Sequence, residues 1–191
     1  YQALFSNTTG SNTANGWTSL YSNTTGTSNT ANGMQALFSN TTGSFNTANG
    51  KQALYYNETG SSNVVSGYLA GGNGPGAVNS FSNSAILGAF AGYNLTTGSN
   101  NIFLGYKAGE AATTALKNIV IGYDIDLPAV GSTNMLNIGN LIYATGLDGS
   151  DTTLSTGNVG IGTTTPTSKL HVSNSGAAAI GKALVNFDQY E

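Results

Sequence analysis

The sequence predicts an all-β chain wound as a parallel β-solenoid, a β-roll of coils about 17 residues long. The first observation is an Asn-x-x-x-Gly stretch whose closing glycine stands at Gly16, Gly33, Gly50 and Gly67, each 17 residues on. It resumes after an interruption at Gly88, Gly105, Gly122 and Gly139, with the same spacing. A fixed period this short is what stacked coils leave in a sequence, each coil burying its neighbour. The second observation is composition. Charged residues make up 7% and net charge is -3, whereas apolar residues reach 39% and keep step with the repeat. Disorder goes with high net charge and few aromatics, so ordered coils are the better reading.

Residues 1–67 form polar coils that are nearly copies of one another. Each holds an Ala-Leu-aromatic run or its variant (Ala3-Leu4-Phe5, Ser19-Leu20-Tyr21, Ala36-Leu37-Phe38, Ala53-Leu54-Tyr55), then Asn-x-Thr-Gly, then the Asn-x-x-x-Gly stretch. Two short strands per coil are predicted, separated by corners where Asn and Gly tolerate positive φ. By alternation one of the Leu and aromatic sets is core, and the other is an exposed or intersubunit ladder. Residues 68–83 read as a Gly/Pro loop insertion, with a hinge between two rod segments as the rival reading. Residues 84–139 keep the period but fill it with Ala85-Ile86-Leu87, Ile102-Phe103-Leu104, Ile119-Val120-Ile121 and Leu136-Asn137-Ile138, short runs expected to be buried strands. The first coils offer Thr13, Asn15, Thr30, Asn32, Thr47 and Asn49 at the flanking positions. If enclosed, these polar groups need partners, and the C-terminal half is expected to be the more stable. Residues 140–157 are a transition. Residues 158–191 are a neck-like segment with two alternating strands around Pro166, ending in an apolar stretch that looks truncated.

Asn101-Ile-Phe-Leu-Gly-Tyr-Lys-Ala-Gly109 and Asn118-Ile-Val-Ile-Gly122 resemble the head repeats of trimeric autotransporter adhesins. That resemblance implies a β-roll in which three chains pack side by side. The stretch from Asn158 to Val172 is similar to the Val-Gly-Ile-Gly-Thr…Pro…Lys-Leu-x-Val segment of phage tail fibres and large bacterial surface proteins. Coils with so little apolar filling bury little alone, which also points to a homotrimer. The expected partner is therefore the chain itself, and the expected place is extracellular, on a cell or virion surface. Function is expected to be structural: a fibre or adhesin-like stalk segment.

Other function classes find little support. There is no arginine, no cysteine and no basic run, which argues against nucleic acid and anionic membrane as partners. No catalytic constellation accompanies His171, the single histidine, so no enzyme, cofactor or metal is expected. Asp124 with Asp126, and Asp148 with Asp151, could offer oxygens to calcium but lack a loop signature and do not repeat. Asn7, Asn23, Asn40, Asn57 and Asn94 begin Asn-x-Ser/Thr patterns that would sheathe one edge if glycosylated. The paired Thr8-Thr9, Thr24-Thr25 and Thr41-Thr42 point to opposite faces, which argues against a flat ice-binding array. Two files remain as candidate functional residues. Phe5, Tyr21, Phe38 and Tyr55 form an aromatic ladder, for intersubunit packing or, in the alternative reading, for carbohydrate binding to surface glycans. Asn12, Asn29, Asn46, Asn63, Asn101 and Asn118 lie four residues before their corner glycines. They are expected to stack amide to amide, one per coil, with faltering at Ser84 and Met135.

Overall fold

The computed structural model describes residues 2–72, 79–150 and 152–173. It is an all-β parallel solenoid with no helix among the described residues. Strands β1 (Thr13–Asn15), β2 (Thr30–Asn32), β3 (Thr47–Asn49), β4 (Val64–Ser66), β5 (Ala85–Leu87), β6 (Ile102–Leu104), β7 (Ile119–Ile121) and β8 (Leu136–Ile138) pair in parallel in chain order. Register is strict: Thr13 faces Thr30, which faces Thr47. Then β9 (Ile142–Ala144) turns back antiparallel on β8, β10 (Val159–Ile161) runs antiparallel to β9, and β11 (Leu170–Val172) runs parallel to β10. All eleven strands belong to one sheet. The stretch 140–157 is therefore more than a transition, since β9 within it reverses the chain and carries the sheet on. Because β4 pairs directly with β5, the longer spacing there is an insertion beside a continuous sheet and not a hinge. Residues 73–78 of that insertion, and the end of the neck segment from 174 on, lie outside the described residues.

Each polar coil carries one three-residue strand, where two were expected. The Ala-Leu-aromatic run is built instead from consecutive turns. Ala36 N–H donates to the Gly33 carbonyl and Asn40 N–H to the Leu37 carbonyl, both at 3.2 Å. Between them Leu37 sits at φ 52, and Leu20 and Leu54 at φ 49 and 54. A non-glycine residue in this left-handed region costs about 1–2 kcal/mol. Here the conformation turns the leucines fully inward, and burial of such a side chain contributes about 1.5–3 kcal/mol. Burial wins. The neighbouring coil completes the turn, as Leu20 N–H reaches the Ala36 carbonyl and Ser22 N–H the Phe38 carbonyl at 3.0 Å. The corners need glycine for a separate reason: a Cβ on Gly33, at φ 129, would lie 2.6 Å from the carbonyl of Gly50.

In β2 to β8 only the middle residue of the strand is buried. Ala31, Ala48, Val65, Ile86, Phe103 and Val120 are fully buried, while Ile102 and Leu104 are 44% and 43% exposed. The apolar triplets are thus not buried runs, and the Thr and Asn flanking Ala31 and Ala48 lie partly open on the outer face, not enclosed. The core is filled by exchange. Where the strand centre is alanine, a left-handed leucine fills the coil (Ala31 with Leu37, Ala48 with Leu54). Where the centre is Val65, Ile86 or Phe103, the leucine position holds glycine: a Cβ on Gly92 would meet Ile86 and Phe103 at 3.2 and 3.1 Å, and one on Gly109 would meet the Phe103 ring at 2.8 Å. A single chain therefore encloses its own core in both halves, and the expectation that poor filling demands a trimer loses its physical basis.

This exchange is testable by a double-mutant cycle. Phe103→Ala should cost about 3–5 kcal/mol, and Gly109→Leu alone should also destabilise by overpacking. Together they reproduce the Ala-plus-Leu pairing of the first coils. The double variant should be more stable than the sum of the singles predicts by 1 kcal/mol or more, on the order of contact couplings, measured as urea unfolding midpoints.

Candidate functional site

The candidate residues lie in files that run along the coil axis and do not converge on a pocket among the described residues. Asn29, Asn46, Asn63, Asn101 and Asn118 are buried in one file, with Asn12 half-buried at its start. Their partners are mainly backbone. Asn12, Asn29 and Asn46 each donate Nδ2–H to the carbonyl of Gly26, Gly43 and Gly60 at 2.8 Å. Each Oδ1 accepts the N–H of the next file member: Asn29 from Asn46 at 2.9 Å, Asn46 from Asn63 at 3.1 Å. Direct amide-to-amide bonds occur from Asn63 to Asn46 and from Asn118 to Asn101, at 3.0 and 3.2 Å. Nor does the file break at Ser84, whose Oγ accepts from Asn101 N–H at 3.2 Å while its own N–H donates to Asn63 Oδ1. It ends at Met135, which donates its N–H to Asn118 and offers nothing onward.

A second buried file was not anticipated. Asn23, Asn40 and Asn57 are fully enclosed, with Asn23 donating to Asn7 Oδ1 and Asn40 to Asn23 Oδ1 at 2.7 Å. Each also closes its own turn, as Asn40 does on the Gly43 carbonyl at 3.0 Å. These are the Asn-x-Thr patterns, so a glycan sheath on Asn23, Asn40 and Asn57 is incompatible with the folded coil. Asn94 is half-buried and donates to the Glu110 carbonyl at 2.9 Å. The signal was present in the strict recurrence of Asn with glycine three residues on, which marks a closed turn.

The aromatic file stands on the surface. Phe5, Tyr21, Phe38 and Tyr55 stack face to face, centroids 5.1, 5.2 and 5.0 Å apart and planes within 7°. Tyr56 meets Tyr55 edge-on at 4.6 Å. Burial first, and then Tyr56 beside it, pushes the Tyr55 phenol above its ordinary pKa.

The outer face of the sheet carries the feature that sequence reading missed. Following the registers from β4 to β11, one file reads Val64, Ala85, Ile102, Ile119, Leu136, Ala144, Val159, Leu170, of which Ala144 is covered, and the other Ser66, Leu87, Leu104, Ile121, Ile138, Ile142, Ile161, Val172. Ser66 is the sole polar residue in these two files. Eight strands make the stripe about 34 Å long and the two files about 7 Å apart. In β1 to β3 the same positions hold only Thr and Asn. At the adjoining corner Tyr68, Tyr106 and Tyr123 are exposed, with Lys51 over the Tyr68 ring and Lys107 over the Tyr106 ring at 5.6 and 5.9 Å.

The acidic candidates do not converge. Asp124 sits in a left-handed turn at φ 53, not on a strand beside Asp126. Asp126 accepts the Ala111 N–H at 2.9 Å, and burial holds its carboxyl above the usual range. Asp148 is taken up by Thr156, whose N–H and hydroxyl both donate to it and hold its pKa down; Asp151 lies outside the described residues. His171 Nδ1 accepts the Thr167 N–H at 3.3 Å. No group of three His, Cys, Asp or Glu able to hold a metal occurs among the described residues, nor does any helix long and apolar enough to cross a membrane. Comparison with family models, curated proteins and solved structures returns no match to this chain.

The bonding of the first file sets a clear expectation. Asn46→Leu removes the donor to Gly60 and the acceptor for Asn63 N–H, and should cost about 1–3 kcal/mol. Thr47→Ser, next to it but on the outer face, should stay within about 0.5 kcal/mol of the parent. Thermal or urea unfolding of the two variants checks the contrast.

Proposed function

We propose that this chain is a structural, non-catalytic rod segment of an extracellular fibre or adhesin-like stalk, on a cell surface or phage tail, and that it packs side by side with copies of itself, three in the expected assembly. The observation that carries this reading is the outer apolar stripe of β4 to β11. Large contiguous apolar patches on a soluble surface mark interaction sites, and this one is not needed to close the core. Its rim of tyrosines and two lysines suits a protein–protein contact, apolar at the centre and polar at the edge. The extracellular placement rests on the resemblance of the coils at 101–122 to adhesin head repeats and of 158–172 to fibre segments.

Carbohydrate binding by the aromatic file is the weaker reading. A sugar ring stacks on an open aromatic face, and the faces of Tyr21 and Phe38 are covered by neighbouring rings at about 5 Å. Phe5 alone, 63% exposed, keeps a face clear at the end of the stack.

Light scattering should give a trimer mass for the parent chain. Leu104→Glu, which puts a carboxylate in the middle of the stripe, should dissociate it to monomer while circular dichroism stays that of the folded chain. A parent chain that is monomeric at every concentration would remove the proposal.

A further inference from the structure

Asn15-Gly16, Asn32-Gly33 and Asn49-Gly50 stand at the corners of three successive polar coils, and each Asn ends a strand of the outer face. Asn32 is half-buried and Asn49 exposed, so water reaches both. In an Asn-Gly pair the glycine carries no side chain to hinder its nitrogen, which can attack the carboxamide carbon of the Asn before it. The stacked coil holds that nitrogen elsewhere. Gly33 N–H donates to the Asn15 carbonyl at 2.7 Å and Gly50 N–H to the Asn32 carbonyl at 2.8 Å. Each nucleophile is thus bound to the coil before it. The carboxamides are restrained too, since Asn32 Nδ2–H donates to Asn49 Oδ1 at 2.9 Å. All three bonds run between coils, and all three are lost when a coil opens.

We propose that Asn32 and Asn49 are deamidation sites gated by coil opening, and that the reaction converts an opened coil into one that cannot restack. In the open coil the glycine nitrogen gives its proton to base and bonds to Cγ. The Cγ–Nδ2 bond breaks, and the nitrogen leaves as ammonia with the proton returned. Water, the only co-reactant, then opens the succinimide ring. Opening at one carbonyl gives Asp; opening at the other gives isoaspartate, in which Cβ has entered the main chain. The two products differ in consequence. A single Asp keeps a ladder bond, because the remaining carboxamide can donate to it. Isoaspartate lengthens the main chain by one atom immediately before the corner glycine. There a Cβ on Gly33 would already lie 2.6 Å from the Gly50 carbonyl, and one on Gly50 2.5 Å from that of Gly67. The corner has no room for the extra atom, so the coil loses register with its neighbours. Coil 4 places Ser66-Gly67 at the same corner, in register with Asn49, and cannot react. The later corners carry Leu87, Leu104, Ile121 and Ile138 before their glycines. Asn73-Gly74 lies outside the described residues.

One nitrogen reports both events, because hydrogen exchange at the Gly33 and Gly50 amides needs the same opening as attack by them. The full chain and peptides of residues 28–36 and 45–53 are held at mildly alkaline pH. Peptide mapping follows conversion at each Asn, and exchange is measured at the two glycine amides of the same samples. Each Asn should react about tenfold or more slowly in the chain than in its peptide, by the factor that protects its glycine amide from exchange. Asn46→Leu loosens the same coil and should speed exchange at Gly50 and conversion of Asn49 by one common factor, about fivefold or more. Chains carrying isoaspartate at 32 or 49 should not regain protection of the Thr30 and Thr47 amides after return to neutral pH. A chain with Asn15→Ser, Asn32→Ser and Asn49→Ser together, using the residue of coil 4, should keep that protection through the same treatment. Conversion at the peptide rate beside a protected amide overturns the proposal. So does an unreactive Asn beside an exchanging amide, full protection in the isoaspartate form, or loss of protection in the treated serine variant. The parent chain set against its own peptides decides the matter whether or not the variants fold.

Discussion

Everything in this molecule depends on axial register, the stacking of each residue on its own counterpart one coil away. A carboxamide buried in an apolar interior costs about 1–3 kcal/mol for each unmet group, yet two files of asparagine are enclosed here. They survive because the period keeps bringing partners into reach. In the first file Nδ2–H finds a carbonyl of the next coil and Oδ1 finds the next file member's N–H, whereas in the second Nδ2–H closes its own turn and Oδ1 of Asn40 and Asn57 is left without a partner. The bond is between side chain and backbone, so it holds the coil's path and not only its neighbour's side chain. That explains why serine can stand at position 84. Its hydroxyl oxygen accepts the Asn101 N–H as a carboxamide would, and the rest of coil 5 is untouched.

The same register permits the core to be written in two ways. A coil interior one strand wide has room for one large side chain near its middle, supplied by the strand centre or by the turn opposite. The first coils choose the turn and accept a leucine at positive φ. The later coils choose the strand and put glycine in the turn, where the Phe103 ring lies against Gly109. The exchange of leucine for glycine does not by itself favour either half. The later coils, however, also bury Leu95 and Ala112 where the first coils bury Asn40 and Asn57, so the greater stability expected of the C-terminal half keeps a basis in core filling.

Much of this was legible beforehand, and the failures share one cause. A strict 17-residue period fixes coil length, corner glycines and the in-line placement of Asn12 to Asn118 without any knowledge of side-chain direction. Direction was the hidden variable. Ile102-Phe103-Leu104 reads as a buried run, but a strand of three residues between two corners can turn only Phe103 inward. Ala36-Leu37-Phe38 reads as a strand by composition, yet nothing local in Leu37 announces φ 52. Only the coil's closure requires it. Asn40 fits the glycan-acceptor triplet, but turn chemistry accounts for it, since the Gly43 carbonyl captures its amide.

The outer face also differs between the two halves, and that difference bears on assembly. Inside, the coils from Ala31 to Val120 need no partner, since Ala31, Leu37, Phe103 and Val120 are already enclosed by one chain. The Ile and Leu files of β4 to β11 cannot then be explained by folding. Threonine and asparagine serve the same strand geometry in β1 to β3, where Asn32 and Asn49 bond to each other at 2.9 Å and water can satisfy the rest. A soluble rod with that choice open to it would keep polar residues along its whole length. Replacing them from Val64 onward leaves apolar surface in water at roughly 25 cal/mol per Å², a cost that is relieved only where the surface is covered. In the lateral assembly proposed above, contact would therefore begin at β4, and the polar coils would stand clear of it.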